Sequence, residues 1–210
     1  MSDSVTALGA CNTLLRGEGG GWSGRNTDVP GFLSPLKEEL PELAGRHALV
    51  IGAGGAARAV VYALTEAGAT VTLANRTLPR AEALLHALLS PRRGDAGGTD
   101  SNQYAEESGV APQPAPGIGT QPALGMAKQT GHEPDRRSIA HRAVALDDPA
   151  LLNADFDLVV QTTSVGMDGR SEPLPGLPLR EGQVVYDIIY TPPDTPLIRR
   201  ARKAGARTIT

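Results

Sequence analysis

Gly52-Ala53-Gly54-Gly55 separates a short apolar run, 47–51 (HALVI), from a stretch of good helix formers, 56–66 (AARAVVYALTE). A run this short and partly β-branched suits a strand covered on both faces, as in a parallel sheet. The small residues behind it meet distinct mechanical needs. Gly52 permits a tight turn, Gly54 lets backbone approach an anion closely, and Ala57 lets the helix pack hard against the strand. The helix would open with free N–H groups and a partial positive charge. Gly68 stands where a helix ends; 70–74 (TVTLA) then predicts a second strand and 78–89 a second helix. Strand, helix, strand, helix over so few residues predicts a βαβα unit with a right-handed crossover. The fold class that follows is α/β, a Rossmann-like doubly wound parallel sheet.

A glycine cluster alone is compatible with an ordinary strand-to-helix turn. With the strand before it and the helix after it, the pattern points to dinucleotide binding by Gly52, Ala53, Gly54, Gly55 and Ala56. The end of the second strand predicts which dinucleotide. An NAD site places a carboxylate there, about 20 residues on, to accept from the ribose 2′-hydroxyl. This chain has Asn75-Arg76-Thr77, with Arg80 one turn further, and no carboxylate. A guanidinium holds a 2′-phosphate through paired, charge-assisted bonds. The predicted cofactor is therefore NADP, the alternative being that Arg76 and Arg80 are solvated charges opening a surface helix.

Composition excludes other partners. The net charge of −3 and pI near 5.8 give no sign of nucleic acid or a membrane surface. The single cysteine, Cys11, rules out an internal disulfide framework and a cysteine-based zinc site. There is no apolar run approaching the roughly 20 residues of a membrane span, and residues 1–6 are polar, unlike a secretory signal. These features lead us to expect a soluble cytoplasmic protein.

On the N-terminal side, 7–16 (ALGACNTLLR) reads as a strand, Gly17 to Gly21 as a turn, and 22–25 as the return strand of a hairpin. Asn26-Thr27-Asp28 is a turn and helix-cap cluster. Phe32, Leu33, Leu36 and Leu40 then recur at helical spacing, predicting a helix over roughly 30–40, interrupted near Pro35. Residues 91–140 hold 14 Gly or Pro in 50 and keep no apolar period. They read as a disordered insertion, or alternatively as a lid of which part is ordered. Strands are predicted at 142–146, 156–161 and 183–189, a helix at 195–204, and a last strand at 206–210. Both ends of the chain read as cut.

Five blocks carry a resemblance to the shikimate/quinate dehydrogenase family. They are Gly9-Ala10-Cys11-Asn12-Thr13-Leu14, Gly24-Arg25-Asn26-Thr27-Asp28, Gly52-Ala53-Gly54-Gly55-Ala56-Ala57-Arg58, Asn75-Arg76-Thr77 with Arg80, and Thr162-Thr163-Ser164-Val165-Gly166-Met167; Tyr186-Asp187 and Tyr190 fit a sixth. The resemblance implies an NADP-dependent oxidoreductase that reversibly reduces 3-dehydroshikimate to shikimate in aromatic amino acid biosynthesis. It implies that Asn12 and Asp28 bind the substrate hydroxyls, that Asp28 works with a catalytic lysine, and that Tyr190 borders the substrate. Thr163 and Ser164 would lie near the nicotinamide ribose. Gln161 stands where the family commonly has asparagine. Read without the family, Asp28 is a helix N-cap, Asn12 a buried strand residue satisfied by backbone, and Tyr190 a half-exposed aromatic at a strand end.

The resemblance also implies a domain plan: 1–29 a remnant of an α/β substrate-binding domain, 30–45 a connecting helix, and 46–210 the NADP-binding Rossmann domain. The family's catalytic lysine belongs before the first block, where this chain has no lysine; Lys37, Lys128 and Lys203 lie elsewhere. Loss of such a proton carrier typically costs on the order of 10² to 10⁴ in rate. Two alternatives therefore stand beside the dehydrogenase: a truncated, catalytically weak NADP-binding module, and a quinate/shikimate paralogue. The expected assembly is a monomer or a homodimer.

Overall fold

The computed structural model describes residues 3–17, 19–90 and 141–210. The insertion expected at 91–140 lies outside the described residues. The chain begins with helix α1 (Asp3–Leu8), followed by strands β1 (Thr13–Arg16) and β2 (Trp22–Arg25), which pair antiparallel as a hairpin. The strand expected over 7–16 thus starts only at Thr13. Val5 and Leu8 are three residues apart and both buried, so one helical turn hides both where an extended chain would point them to opposite sides. α1 packs against β2 and against the first helix of the nucleotide unit.

Helix α2 (Asp28–Glu39) runs through Pro35 without interruption. An interior proline costs a helix about 3 kcal/mol. Burial of Phe32, Leu36 and Leu40 on one face offsets this, at roughly 1.5–3 kcal/mol for each large side chain.

The main body alternates as predicted: β3 (His47–Ile51), α3 (Gly55–Glu66), β4 (Thr70–Asn75), α4 (Leu78–Leu89), then β5 (Arg142–Ala145), β6 (Leu158–Gln161), β7 (Val184–Asp187), α5 (Pro196–Lys203) and β8 (Arg207–Ile209). The six strands form one parallel sheet in the order β5-β4-β3-β6-β7-β8. Alternating side chains feed two cores. Ala48, Val50, Val71, Leu73, Leu158, Val160 and Tyr186 pack beneath α2, α3 and α4. Leu49, Ile51, Val144, Val159 and Val185 pack against α5, a 3-10 turn (Pro149–Asn153) and the segment bearing Leu177. Both faces are covered, as near-continuous apolar strands require.

From β3 the chain winds outward to β4 and β5, returns to β6 beside β3, and winds the other way. The strand order therefore switches direction between β3 and β6. In open α/β sheets, ligands bind at such a switch, beyond the carboxyl ends of the strands. The turn after β3 and the loop after β6 meet there.

Candidate nucleotide and polyol site

At the end of β3, Gly52 has φ +111 and its N–H donates to Ala74 O of β4 at 2.8 Å. A Cβ added at Gly52 would lie 2.7 Å from Thr162 Oγ1 and 2.8 Å from Thr163 Cγ2. Both the backbone conformation and the space exclude any other residue. Gly54 differs: its φ is −96, and a Cβ on it or on Gly55 would meet nothing. That open space adjoins the first turn of the 12-residue α3, whose amides no side chain caps. Uncapped amides carrying the helix's partial positive charge suit an anionic group approaching the backbone. Ala53 and Ala56 line the same turn, and Ala57 is buried behind it.

Asn75 ends β4 and folds back, its Nδ2 donating to Thr77 O at 2.8 Å. The turn so made presents Arg76 on the surface, two residues after the carbonyl that holds Gly52. Arg80 N–H donates to Thr77 O at 3.0 Å, which places Arg80 in the first turn of α4. Both arginines are exposed. Neither guanidinium has a hydrogen-bond or ion-pair partner among the described residues.

Across the switch, Thr162 Oγ1 donates to Ile51 O at 2.7 Å and so ties the β6 loop to β3. Thr163 is held by the buried Gln161 amide, and Ser164 is exposed. Further along the sheet edge, Asp187 is only 1 % exposed and accepts from Thr195 Oγ1 at 2.7 Å and Ile189 N–H at 3.0 Å. Burial pushes its pKa up, against the pull of those two bonds. Tyr190, beyond this loop, is 83 % exposed. It makes no hydrogen bond among the described residues and is more exposed than the half-exposed strand-end aromatic expected without the family.

The hairpin brings Asn12 and Asp28 into direct contact: Asn12 Nδ2 donates to Asp28 Oδ1 at 2.8 Å. Asn12 Oδ1 accepts from Thr27 N–H at 2.9 Å and from Thr27 Oγ1 and Thr13 Oγ1 at 3.1 Å. Asn12 is exposed and precedes β1, so the alternative of a buried strand residue fails. Asp28 is not the helix cap either. Asn26 Oδ1 accepts from Asp28 N–H at 3.1 Å and Val29 N–H at 3.4 Å, while its Nδ2 reaches Ala10 O at 3.4 Å. Asn26 therefore frees the Asp28 carboxylate from capping. Its role was visible in the sequence only as membership of a cap-forming triplet.

Where α1 packs on α3, Arg58 of α3 donates from Nη1 to Leu8 O at 3.3 Å.

Residues 35–95 match the family model described as shikimate / quinate 5-dehydrogenase. Over 99% of its length the chain is 38% identical to a shikimate dehydrogenase (NADP(+)) of Geobacter metallireducens, covering 58% of that protein. Over its whole length the chain is similar to members of the shikimate/quinate dehydrogenase family. A family member from Methanocella arvoryzae, also a shikimate dehydrogenase (NADP(+)), is 34% identical over 100% of this chain and 60% of its own length. Among solved structures of the family, shikimate 5-dehydrogenase from Thermus thermophilus, in complex with NADP(H) and shikimate, superposes with a TM-score of 0.65 at 32% identity. This chain is covered there to 100% and the other chain to 59%. The chain thus spans about 60% of the length of the curated relatives it matches.

Proposed function

We propose that this chain supplies the NADP site and part of the substrate site of an NADP-dependent shikimate dehydrogenase, an oxidoreductase that interconverts 3-dehydroshikimate and shikimate. The observation that carries the cofactor choice is a pair of guanidinium groups, Arg76 and Arg80, at the tip of the strand that holds Gly52, neither of them partnered among the described residues. A 2′-phosphate gives both a partner; a ribose hydroxyl gives neither a charge to neutralise. The pyrophosphate would take the free amides behind Gly54, and Asn75 and Thr77 would shape the adenosine end. Thr163 and Ser164 would border the nicotinamide ribose.

When bound, NADPH supplies the hydride. The residues of this chain bind, orient and handle the proton. Asn12 and Asp28 together offer a donor and acceptors to adjacent hydroxyls of a polyol, a pairing that rejects analogues lacking them. Asp28 Oδ1 is engaged by Asn12, and its second carboxylate oxygen has no partner among the described residues. That oxygen is placed to accept a hydroxyl proton. Tyr190, exposed on the β7 loop, would cover the substrate.

On this proposal 1–29 belong to the substrate-binding domain, 30–45 connect it, and 46–210 form the NADP-binding domain. No helix among the described residues is long and apolar enough to cross a membrane. A cytoplasmic enzyme with small-molecule partners, monomeric or dimeric and engaging neither nucleic acid nor membrane, accords with the weak net charge. The deciding experiment adds shikimate and NADP to the purified 210-residue chain and follows the reduced-nicotinamide absorbance, with NADP binding measured separately by calorimetry. Binding with turnover supports the enzyme. Binding without turnover reduces the chain to a nucleotide-binding module, and absence of binding removes the proposal.

A further inference from the structure

Gln161 closes β6 with 0 % exposure. A buried primary amide is strongly destabilising unless its hydrogen bonds are made. Here they are made to the residues that immediately follow. Nε2 donates to Val165 O at 2.7 Å and to Thr163 Oγ1 at 2.9 Å, and Oε1 accepts from Thr163 N–H at 3.2 Å. Thr163 Oγ1 in turn accepts from Val165 N–H at 3.1 Å. The amide is thus a template around which residues 162–165 are wound.

This winding fixes one rotamer. With its hydroxyl held on the Gln161 side, Thr163 turns its methyl toward Gly52, where an added Cβ would lie 2.8 Å from Cγ2. Thr162 Oγ1 anchors the same loop to Ile51 O at 2.7 Å. The separation of the two loops flanking the sheet's switch point is therefore set by Gln161 acting through Thr163. β-branched Thr163 has few χ1 alternatives, so loss of the amide frees a discrete rearrangement.

We infer that Gln161 is a positioning residue for the nicotinamide half of the nucleotide site, holding the β6 loop at the distance from Gly52 that the dinucleotide needs to cross the switch. This rests on the NADP reading of the glycine turn. The geometry separates the two halves of the ligand. The adenosine half belongs to the β3–β4 side, where Arg76 stands, and the nicotinamide half to the β6 side. Adenosine 2′,5′-bisphosphate carries the 2′-phosphate and lacks the nicotinamide half, so it reports on the first side alone.

The test is calorimetric titration of NADP and of adenosine 2′,5′-bisphosphate into the full chain, Gln161→Leu and Gln161→Asn. Gln161→Leu is expected to weaken NADP by about tenfold, with adenosine 2′,5′-bisphosphate unchanged within about twofold. Gln161→Asn keeps the amide on a side chain one methylene shorter and should weaken NADP by a smaller factor. A merely structural residue would weaken both ligands together; that result, or no change in either, overturns the inference while leaving the NADP site standing. If Gln161→Leu does not fold, the same comparison on Gln161→Asn decides. A native chain that binds neither ligand overturns the NADP reading and this inference with it.

Discussion

Asn12 and Asp28, sixteen residues apart, are joined by a 2.8 Å hydrogen bond from Nδ2 to Oδ1 that crosses from the hairpin to the first turn of α2. Asn26 makes that bond possible by taking over the capping of the helix. The two asparagines should therefore separate in experiment. Asn26→Ala leaves the amides of Asp28 and Val29 without their partner and should lower the unfolding free energy by about 1–2 kcal/mol. Asn12→Ala touches only exposed groups and should cost less than about 1 kcal/mol. It should nonetheless weaken shikimate binding to the NADP-loaded protein by roughly tenfold. Urea denaturation and substrate titration measure the two effects.

Gly52 and Gly54 predict opposite outcomes for the same substitution. Gly52→Ala forces φ +111 on an alanine and drives its Cβ into Thr162 and Thr163. Destabilisation of about 2–4 kcal/mol is expected, read as a lower urea midpoint with an unchanged slope. Gly54→Ala meets no neighbour at an ordinary φ of −96, so the midpoint should hardly move. The added methyl instead occupies the open space behind which the α3 amides wait, and NADP affinity should fall at least roughly tenfold. Equal effects on folding would show that Gly54 is not a ligand-facing position.

Arg76→Ala removes a charge-assisted contact to the 2′-phosphate and should raise the Kd for NADP roughly 10- to 100-fold. The Kd for NAD should change by no more than about twofold. Arg80→Ala should act in the same direction and more weakly, because it lies one turn further from the strand end. A uniform loss for NADP and NAD would place both arginines away from the phosphate.

Two carboxylates should give pH effects of opposite sign. Burial raises the Asp187 pKa above its unfolded value, so the native state holds this proton more tightly than the unfolded one. The resulting stabilisation is complete below the ordinary carboxylate pKa and is lost as pH rises through the folded value. Asp168 is depressed to about 2, first by the Ser171 hydroxyl and then by the backbone amides of Ser171 and Arg170. Its contribution is present above the ordinary value of 3.8 and is lost as pH falls toward about 2. Asp187→Asn should flatten the loss of stability on the rising-pH side. Asp168→Asn should flatten the loss on the acid side, both followed by denaturation midpoints between about pH 2 and 7.

Local chemistry alone determined much of this protein. The strand-glycine-helix-strand order of 47–75 has no competing pattern, because buried parallel strands and a tight turn each demand particular residue types over a few positions. The absence of a carboxylate after Ala74 and the presence of Arg76 and Arg80 are facts of order along the chain, and so was the likeness of five short blocks to one family. Three things needed the tertiary structure. Residues 3–8 are helical because Val5 and Leu8 find burial against β2 and α3, partners that lie far away in sequence. α2 survives Pro35 because its apolar face is buried against α3 and the edge of the sheet, and that gain exceeds the lost helical bond. In the sequence Gln161 is a small departure from a family asparagine; only the meeting of β3 with β6 places Gly52 against the Thr163 methyl and gives that side chain its work. Sequence patterns record what each residue prefers among its near neighbours, whereas the spacing of two loops at a sheet's switch point is decided by strands more than a hundred residues apart packing side by side.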